Sequence, residues 1–290
     1  MTHPNPDQAA RGRDAILWGA ASGRLSGADY PAMDAAFGPL TVRRSYQPAS
    51  VGMPASWAEC NAAADVGKRA SCWSGKPSIT AMARGALDGE TLAFLRSVPK
   101  SHLAFVTIWH EADGKIRDGS FNLTTYRAAF RRFCRLVQRV RAEGRPRLYT
   151  IQILTSWSGT SPRSGTTYAD LWPGDGLVDC FGVDGYSSVG TGESLWGPAV
   201  EFARSRDVPW AVPEIGYGRT GTRDASWMKD QVEYLTSTPA GGRHTRCAFA
   251  CWFNTGGPIS VPTPGDNDAW IAAAKDAAER YHTGYEDFVL

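Results

Sequence analysis

Apolar residues in this chain come in short runs of four to seven positions, and most runs give way to a longer stretch with helical spacing. The short runs predict strands: AILWGA (15–20), LTVRRSY (40–46), PSIT (77–80), LAFVTIW (103–109), LYTIQIL (148–154), VDCFGVD (178–184), PWAVPE (209–214) and CAFACWF (247–253). The spaced stretches predict helices, among them GETLAFLRSV (89–98), 124–142, ESLWGPAVEFARS (193–205), ASWMKDQVEYLTS (225–237) and DNDAWIAAAKDAAERY (266–281). Asp88 precedes the first of these, and Asp266 or Asn267 opens the last, as helix start signals require.

Several of the strands are apolar on both faces, which suits a parallel sheet covered by helices. With eight strands the natural closure is a (β/α)8 TIM barrel, here one domain over residues 14–290 behind a flexible N-terminal segment, 1–13. An open doubly wound sheet is the alternative. It is disfavoured because WGAASGRLSG, after the first strand, lacks both GxGxxG and GxxxxGK[ST] spacing.

Composition narrows the function classes. The chain has 290 residues, 42% hydrophobic and 21% charged, enough for one large buried core. Its net charge of +2 supplies no face basic enough to argue for nucleic acid. The arginines of YRAAFRRFCRLVQRVR (126–141) read as the solvated side of a helix, because Phe130, Phe133, Leu136, Val137 and Val140 form its apolar stripe. The start is polar without a signal-peptide pattern, and no apolar run is long enough to span a bilayer. The native compartment stays open. Cysteines stand at 60, 72, 134, 180, 247 and 251 with no CxxC pair, so structural zinc is not expected. Cys134, Cys180 and Cys251 read as buried thiols. Cys60 and Cys72 flank a polar loop and are expected to form a local disulfide.

In such a barrel the active site is built at the C-terminal ends of the strands. The sequence places Arg44, Ser45 and Tyr46 after strand two and His110 and Glu111 after strand four. Trp157 follows strand five, Asp184 and Tyr186 strand six, Glu214 strand seven, and Trp252 and Asn254 strand eight. Strands four and seven face each other across the mouth, so Glu111 and Glu214 can address one substrate from two directions. Glycosidic cleavage needs that arrangement: one carboxylic acid protonates the leaving oxygen, and a second carboxylate attacks the anomeric carbon or activates water. Trp157, in a long polar loop, is a sugar platform or a packing residue with equal weight. Asp113 reads as a turn residue before Gly114. His102, Asp184, Trp18, Trp210 and Trp270 read as structural.

The ordered set WHEADG (109–114), WPGDGLVDCFGVDGY (172–186) and PEIG (213–216) resembles glycoside hydrolase family 26, over about residues 76 to 254. The family groups retaining enzymes on (β/α)8 barrels. The resemblance implies Glu111 as acid/base, preceded by the family's histidine, His110, and Glu214 as nucleophile. It implies that Tyr186 donates a hydrogen bond to the nucleophile, and that Trp252 forms the floor beneath the sugar being cleaved. A β-linked polysaccharide or oligosaccharide is the implied substrate, whether mannan, mixed β-glucan, xylan or a cell-wall glycan. No metal or organic cofactor, no nucleic-acid or membrane partner and a monomer are the matching expectations; the substrate class leans toward the extracellular space. The chain departs from the family's usual HEMNG at Ala112 and Asp113, and the charged KIRDGS follows. That change lies on the substrate side of the acid/base and bears on which sugar is taken. Two other classes remain: a non-catalytic carbohydrate-binding barrel, and a metal-dependent hydrolase using His102, His110, Glu111 and Asp113, which would lack HxH on strand one.

Overall fold

The structure, a computed structural model, describes residues 16–22, 40–161, 163, 165–217, 225–236, 247–254 and 272. The expected N-terminal segment, nearly all of the last expected helix and Trp270 lie outside the described residues. Eight parallel strands close into one barrel in chain order: β1 (Leu17–Ser22), β2 (Val42–Tyr46), β3 (Ala70–Gly75), β4 (Ala104–Ile108), β5 (Leu148–Thr155), β6 (Cys180–Tyr186), β7 (Trp210–Gly216) and β8 (Cys247–Asn254). Closure is made by β1 pairing with β8 from Leu17–Phe249 to Ser22–Asn254.

Alternation along each strand sorts its side chains into two layers. Inside the barrel, Leu17, Val42, Cys72, Phe105, Ile151, Ile153, Cys180, Phe249 and Cys251 pack together. The rings of Phe105 and Phe249 meet at 4.8 Å although their strands stand on opposite sides, which is possible only across a filled interior. Outside, Trp18, Trp73, Val106, Ile108 and Trp210 meet the helices. Among these are α1 (Ile79–Arg84), α2 (Asp88–Ser97), α3 (Ala112–Arg117), α4 (Leu123–Ala142), α5 (Trp157–Thr160), α6 (Tyr168–Leu171), α7 (Gly192–Ser205) and α8 (Ala225–Thr236). The expected stripe of α4 is buried from Phe130 to Val140, and Asn122 caps the helix by accepting from the Thr125 amide at 3.1 Å. No helix among the described residues is long and apolar enough to cross a membrane.

Two expectations change. PSIT is not a strand; Ile79 starts α1 behind the N-cap Ser78, and the third strand is ASCWSG. That strand is dominated by small and hydroxyl residues. It is buried throughout: Ala70, Cys72 and Trp73 pack in the core, and partners elsewhere satisfy its hydroxyls, Ser71 with His102 and Ser74 with His110. Nor do Cys60 and Cys72 pair; both are free and buried. Cys72 belongs to the barrel interior and Cys60 to the outer layer, so the sheet separates them.

Because Phe105 is fully buried between Tyr149 and Phe249, Phe105→Ala is expected to destabilise the barrel by about 3–5 kcal/mol. Urea denaturation checks this. A loss under 1 kcal/mol, roughly that of an ordinary surface substitution, would show that the interior collapses readily around the vacancy.

Candidate active site

The end of β4 leaves regular strand geometry to deliver its polar residues. Trp109 and Glu111 both adopt left-handed backbone conformations, with φ of 51° and 55°, which side-chain-bearing residues take only when their surroundings enforce it. The enforcement is visible. The Trp109 amide donates to the Gly75 carbonyl at 2.8 Å, the Glu111 amide donates to the Ile153 carbonyl at 2.9 Å, and the Trp109 indole N–H donates to the Pro77 carbonyl. The Trp109 ring also sets its face or edge against Phe121 at 4.6 Å. Between these anchors, His110 Nδ1 lies 2.6 Å from Ser74 Oγ, and its ring is 5.3 Å from that of Tyr46. Burial, followed by the Arg44 and Lys76 charges, holds the His110 pKa well below the usual range, so the imidazole is neutral.

Glu214, buried on β7, is held from three sides. Tyr46 Oη donates to Oε1 at 2.7 Å, Tyr186 Oη donates to Oε2 at 2.8 Å, and Arg44 Nη2 lies 3.5 Å from Oε1. Burial and the neighbouring Glu214 charge raise both tyrosine pKa values, which keeps the hydroxyls protonated and donating. Arg44 is itself fully buried, with its guanidinium 4.2 Å from the centre of the Tyr46 ring. One carboxylate oxygen each from Glu111, Asp184 and Glu214 lie within 4.8 Å of one another. Crowding and burial act on the group with the weakest compensation. Burial first, then Glu214 and Asp113, push the Glu111 pKa up to about 8. Asp184 is buried with both carboxyl oxygens lacking a hydrogen-bond partner among the described residues. Burial, then Glu214 and Glu111, raise its pKa as well. An unpaired carboxyl in such a place is stable only as the neutral acid.

The remaining expected residues divide. Trp157 opens α5 and is 37% exposed. Asp113 is not a turn residue. Its buried carboxylate accepts from the Thr155 amide and hydroxyl and from Ser158 Oγ, at 2.7 Å for the last, tying α3 to the segment that carries Trp157. Trp252 does not face the mouth: it is buried in the outer layer with its ring 5.5 Å from Tyr217. Alternation with the inward Cys251 turns it away, and Phe253 meets Tyr186 at 5.9 Å in its place. His102 precedes β4, at the barrel's opposite end, bound to Ser71 Oγ at 2.9 Å. The four-residue metal set of the hydrolase alternative is therefore not assembled. Among the described residues the grouping with metal-ligand spacing is the three carboxylates, and Glu214 already accepts from two hydroxyls beside a buried cation. Sequence reasoning placed Arg44 and Tyr46 at the mouth without assigning them to Glu214. It missed Ser74, whose strand carries no apolar run to mark it.

No family model matches the chain, and no curated protein does. Solved structures share the fold. The catalytic domain of a GH26 endo-β-1,4-mannanase from Bacillus sp. JAMB-750 is 15% identical with a TM-score of 0.59, over 98% of this chain and 90% of that one. Thermotoga maritima Cel5A, solved with cellobiose in mutant form, is 12% identical with a TM-score of 0.59, over 93% and 99% of the two chains. A GH128 oligosaccharide-binding protein from Trichoderma gamsii is 13% identical with a TM-score of 0.54, over 97% and 98%. The chain thus has the (β/α)8 barrel found in glycoside hydrolases and in a relative of theirs described by binding.

A neutral Asp184 has a measurable signature. Its native pKa lies above that of an unfolded aspartate, roughly 3.9. Above that pH the unfolded chain has released a proton that the native protein still holds, so the residue's contribution to stability falls as pH rises toward the native pKa. Asp184→Asn abolishes this loss. The variant's unfolding free energy relative to wild type should therefore rise with pH from about pH 4 toward the native pKa, by at most ~1.4 kcal/mol per pH unit. Urea denaturation across that range checks it; a flat difference would mean that Asp184 is ionised in the native protein.

Proposed function

We propose that this chain is a retaining glycoside hydrolase acting on a β-linked polysaccharide or oligosaccharide, mannan-type, mixed β-glucan, xylan or cell-wall glycan. The observation that carries the reading is the pair Glu111 and Glu214, with oxygens within 4.8 Å and unlike surroundings. Retaining enzymes hold their two carboxyl groups roughly 5–5.5 Å apart, whereas inverting ones leave room for a water at about 6.5–9.5 Å.

In the first step Glu214 attacks the anomeric carbon and forms the glycosyl–enzyme ester, while Glu111 transfers its proton to the departing glycosidic oxygen. In the second, Glu111, now a carboxylate, takes a proton from water as that water displaces Glu214, which restores both groups. Tyr46, Tyr186 and Arg44 fix the Glu214 oxygens in place for the attack. A pKa of about 8 keeps Glu111 protonated through neutral pH, as the first step requires. Neutral His110 positions Tyr46 and the strand end. Trp157 offers a ring to stack on sugar. The binding-only alternative has its own support in the shared fold of the Trichoderma gamsii protein, and turnover on any β-glycan excludes it.

Two measurements test the roles. The alkaline limb of kcat/KM should fall near pH 8 and disappear in Glu111→Gln; its survival in the residual activity would remove Glu111 as the acid. With an activated aryl glycoside, Glu111→Ala should stall as the glycosyl–enzyme and be rescued by azide, giving a glycosyl azide of the substrate's anomeric configuration. Azide rescue of Glu214→Ala should give the opposite anomer. The same anomer from both variants, read by proton NMR, overturns the assignment.

A further inference from the structure

The lip beside Glu111 holds a cation that the proposed chemistry does not use. Lys76 follows β3 directly and is half-buried. Its Nζ stands 5.7 Å from the centre of the Trp109 ring, and among the described residues no carboxylate lies within ion-pairing distance of it. Burial lowers its pKa; Glu111 and Glu214 act in the opposite sense from a distance, while Arg44 and Lys115 add to the lowering. A half-buried ammonium with an aromatic ring beside it and no ion pair among the described residues has donor capacity left for an anionic partner. Lys115 and Arg117 follow on α3, inside the charged KIRDGS stretch. Lys115 is exposed and meets Asp118 at 3.4 Å, a contact that salt and solvent weaken. Lys76 and Lys115 are thus neighbouring cations beside Glu111, and among the described residues Lys76 has no carboxylate within ion-pairing distance, the glutamates acting on it only from further off.

We infer that this lip is an anion-recognising subsite, and that the glycan entering the barrel carries a uronic acid whose carboxylate pairs with Lys76. The inference rests on the glycosidase reading for the identity of the ligand as a glycan. A carboxylate brought there completes a charge-assisted hydrogen bond in a partly dry setting. The Trp109 indole beside it offers apolar surface to the same sugar ring. Arg44 is not the recognising cation, because it is fully buried and committed to Glu214.

The experiment compares a β-linked glycan bearing uronic acid, such as polymannuronate or a glucuronoxylan, with the same polymer after chemical reduction of its carboxyl groups, and with a sulfated β-glycan of equal length. Binding is measured by calorimetry on Glu214→Ala, and hydrolysis on the wild type. The expected result is binding of the acidic polymer about tenfold or more tighter than its reduced form, a preference that shrinks with added salt. Lys76→Gln should reduce that preference by a similar factor, and Lys76→Arg should keep most of it. Equal binding of acidic and reduced polymers, or a preference untouched by Lys76→Gln, overturns the inference while leaving hydrolysis of neutral glycans intact. Stronger binding of the sulfated glycan than of the uronate overturns the choice of carboxylate. Selective acid binding without cleavage of any polymer would keep the subsite and remove the hydrolase reading.

Discussion

A parallel sheet that closes on itself has one rim where every strand ends, and that constraint governs the rest of this molecule. Closure of β1 on β8 turns half of every strand's side chains into a common interior, filled from opposite walls by Phe105 and Phe249. With the interior plugged by apolar side chains, the polar inward residues are confined to the top layer. Arg44, Tyr46, Ser74, Asp184, Tyr186 and Glu214 come from four strands, yet alternation and closure bring them to one mouth.

Concentrating charge in that layer has consequences for every group there. Arg44 and Glu214 are both buried and compensate each other, and two tyrosine hydroxyls complete the carboxylate's hydrogen bonding. Losing one member of such a pair leaves the other stranded, at a cost of about 3–5 kcal/mol. The cation and the hydroxyl donors go to Glu214, which leaves Glu111 and Asp184 with burial and like charge, and their pKa values rise together. Both groups are thereby held in the protonated form well above the usual carboxylate range, beside a carboxylate that has a cation and two hydroxyls as partners.

Backbone strain supplies the aim. The left-handed turns at Trp109 and Glu111 are held by hydrogen bonds to the neighbouring strand ends, Gly75 and Ile153, and to Pro77. Those partners belong to the barrel rim itself, so the position of Glu111 is as firm as the closure of the sheet. Asp113, two residues further on, extends the same hold to the segment bearing Trp157.

Much of this was legible in the sequence. Apolar runs of strand length marked seven of the eight strands, and the motifs WHEADG, GVDGY and PEIG put Glu111, Asp184, Tyr186 and Glu214 at strand ends. Local pattern suffices there because period-two burial and helix amphipathicity are properties of neighbouring residues. What only the tertiary structure decided depended on partners distant in the chain. The third strand carries two serines, Ser71 and Ser74, whose burial depends on His102 and His110 receiving their hydroxyls. Cys60 and Cys72 are close in sequence and separated by the sheet. Trp252 and Phe253 are adjacent aromatics, and the register of β8 in the closed barrel, shifted against β7, selects Phe253 for the mouth. The sequence by itself determined that Arg44, Tyr46, Glu111, Asp184, Tyr186 and Glu214 reach the rim region, because strand length and alternation are local. Which of them face one another, and which carboxyl keeps its proton, was decided by closure, since only packing brings residues 44, 111, 184 and 214 within range of each other's charge.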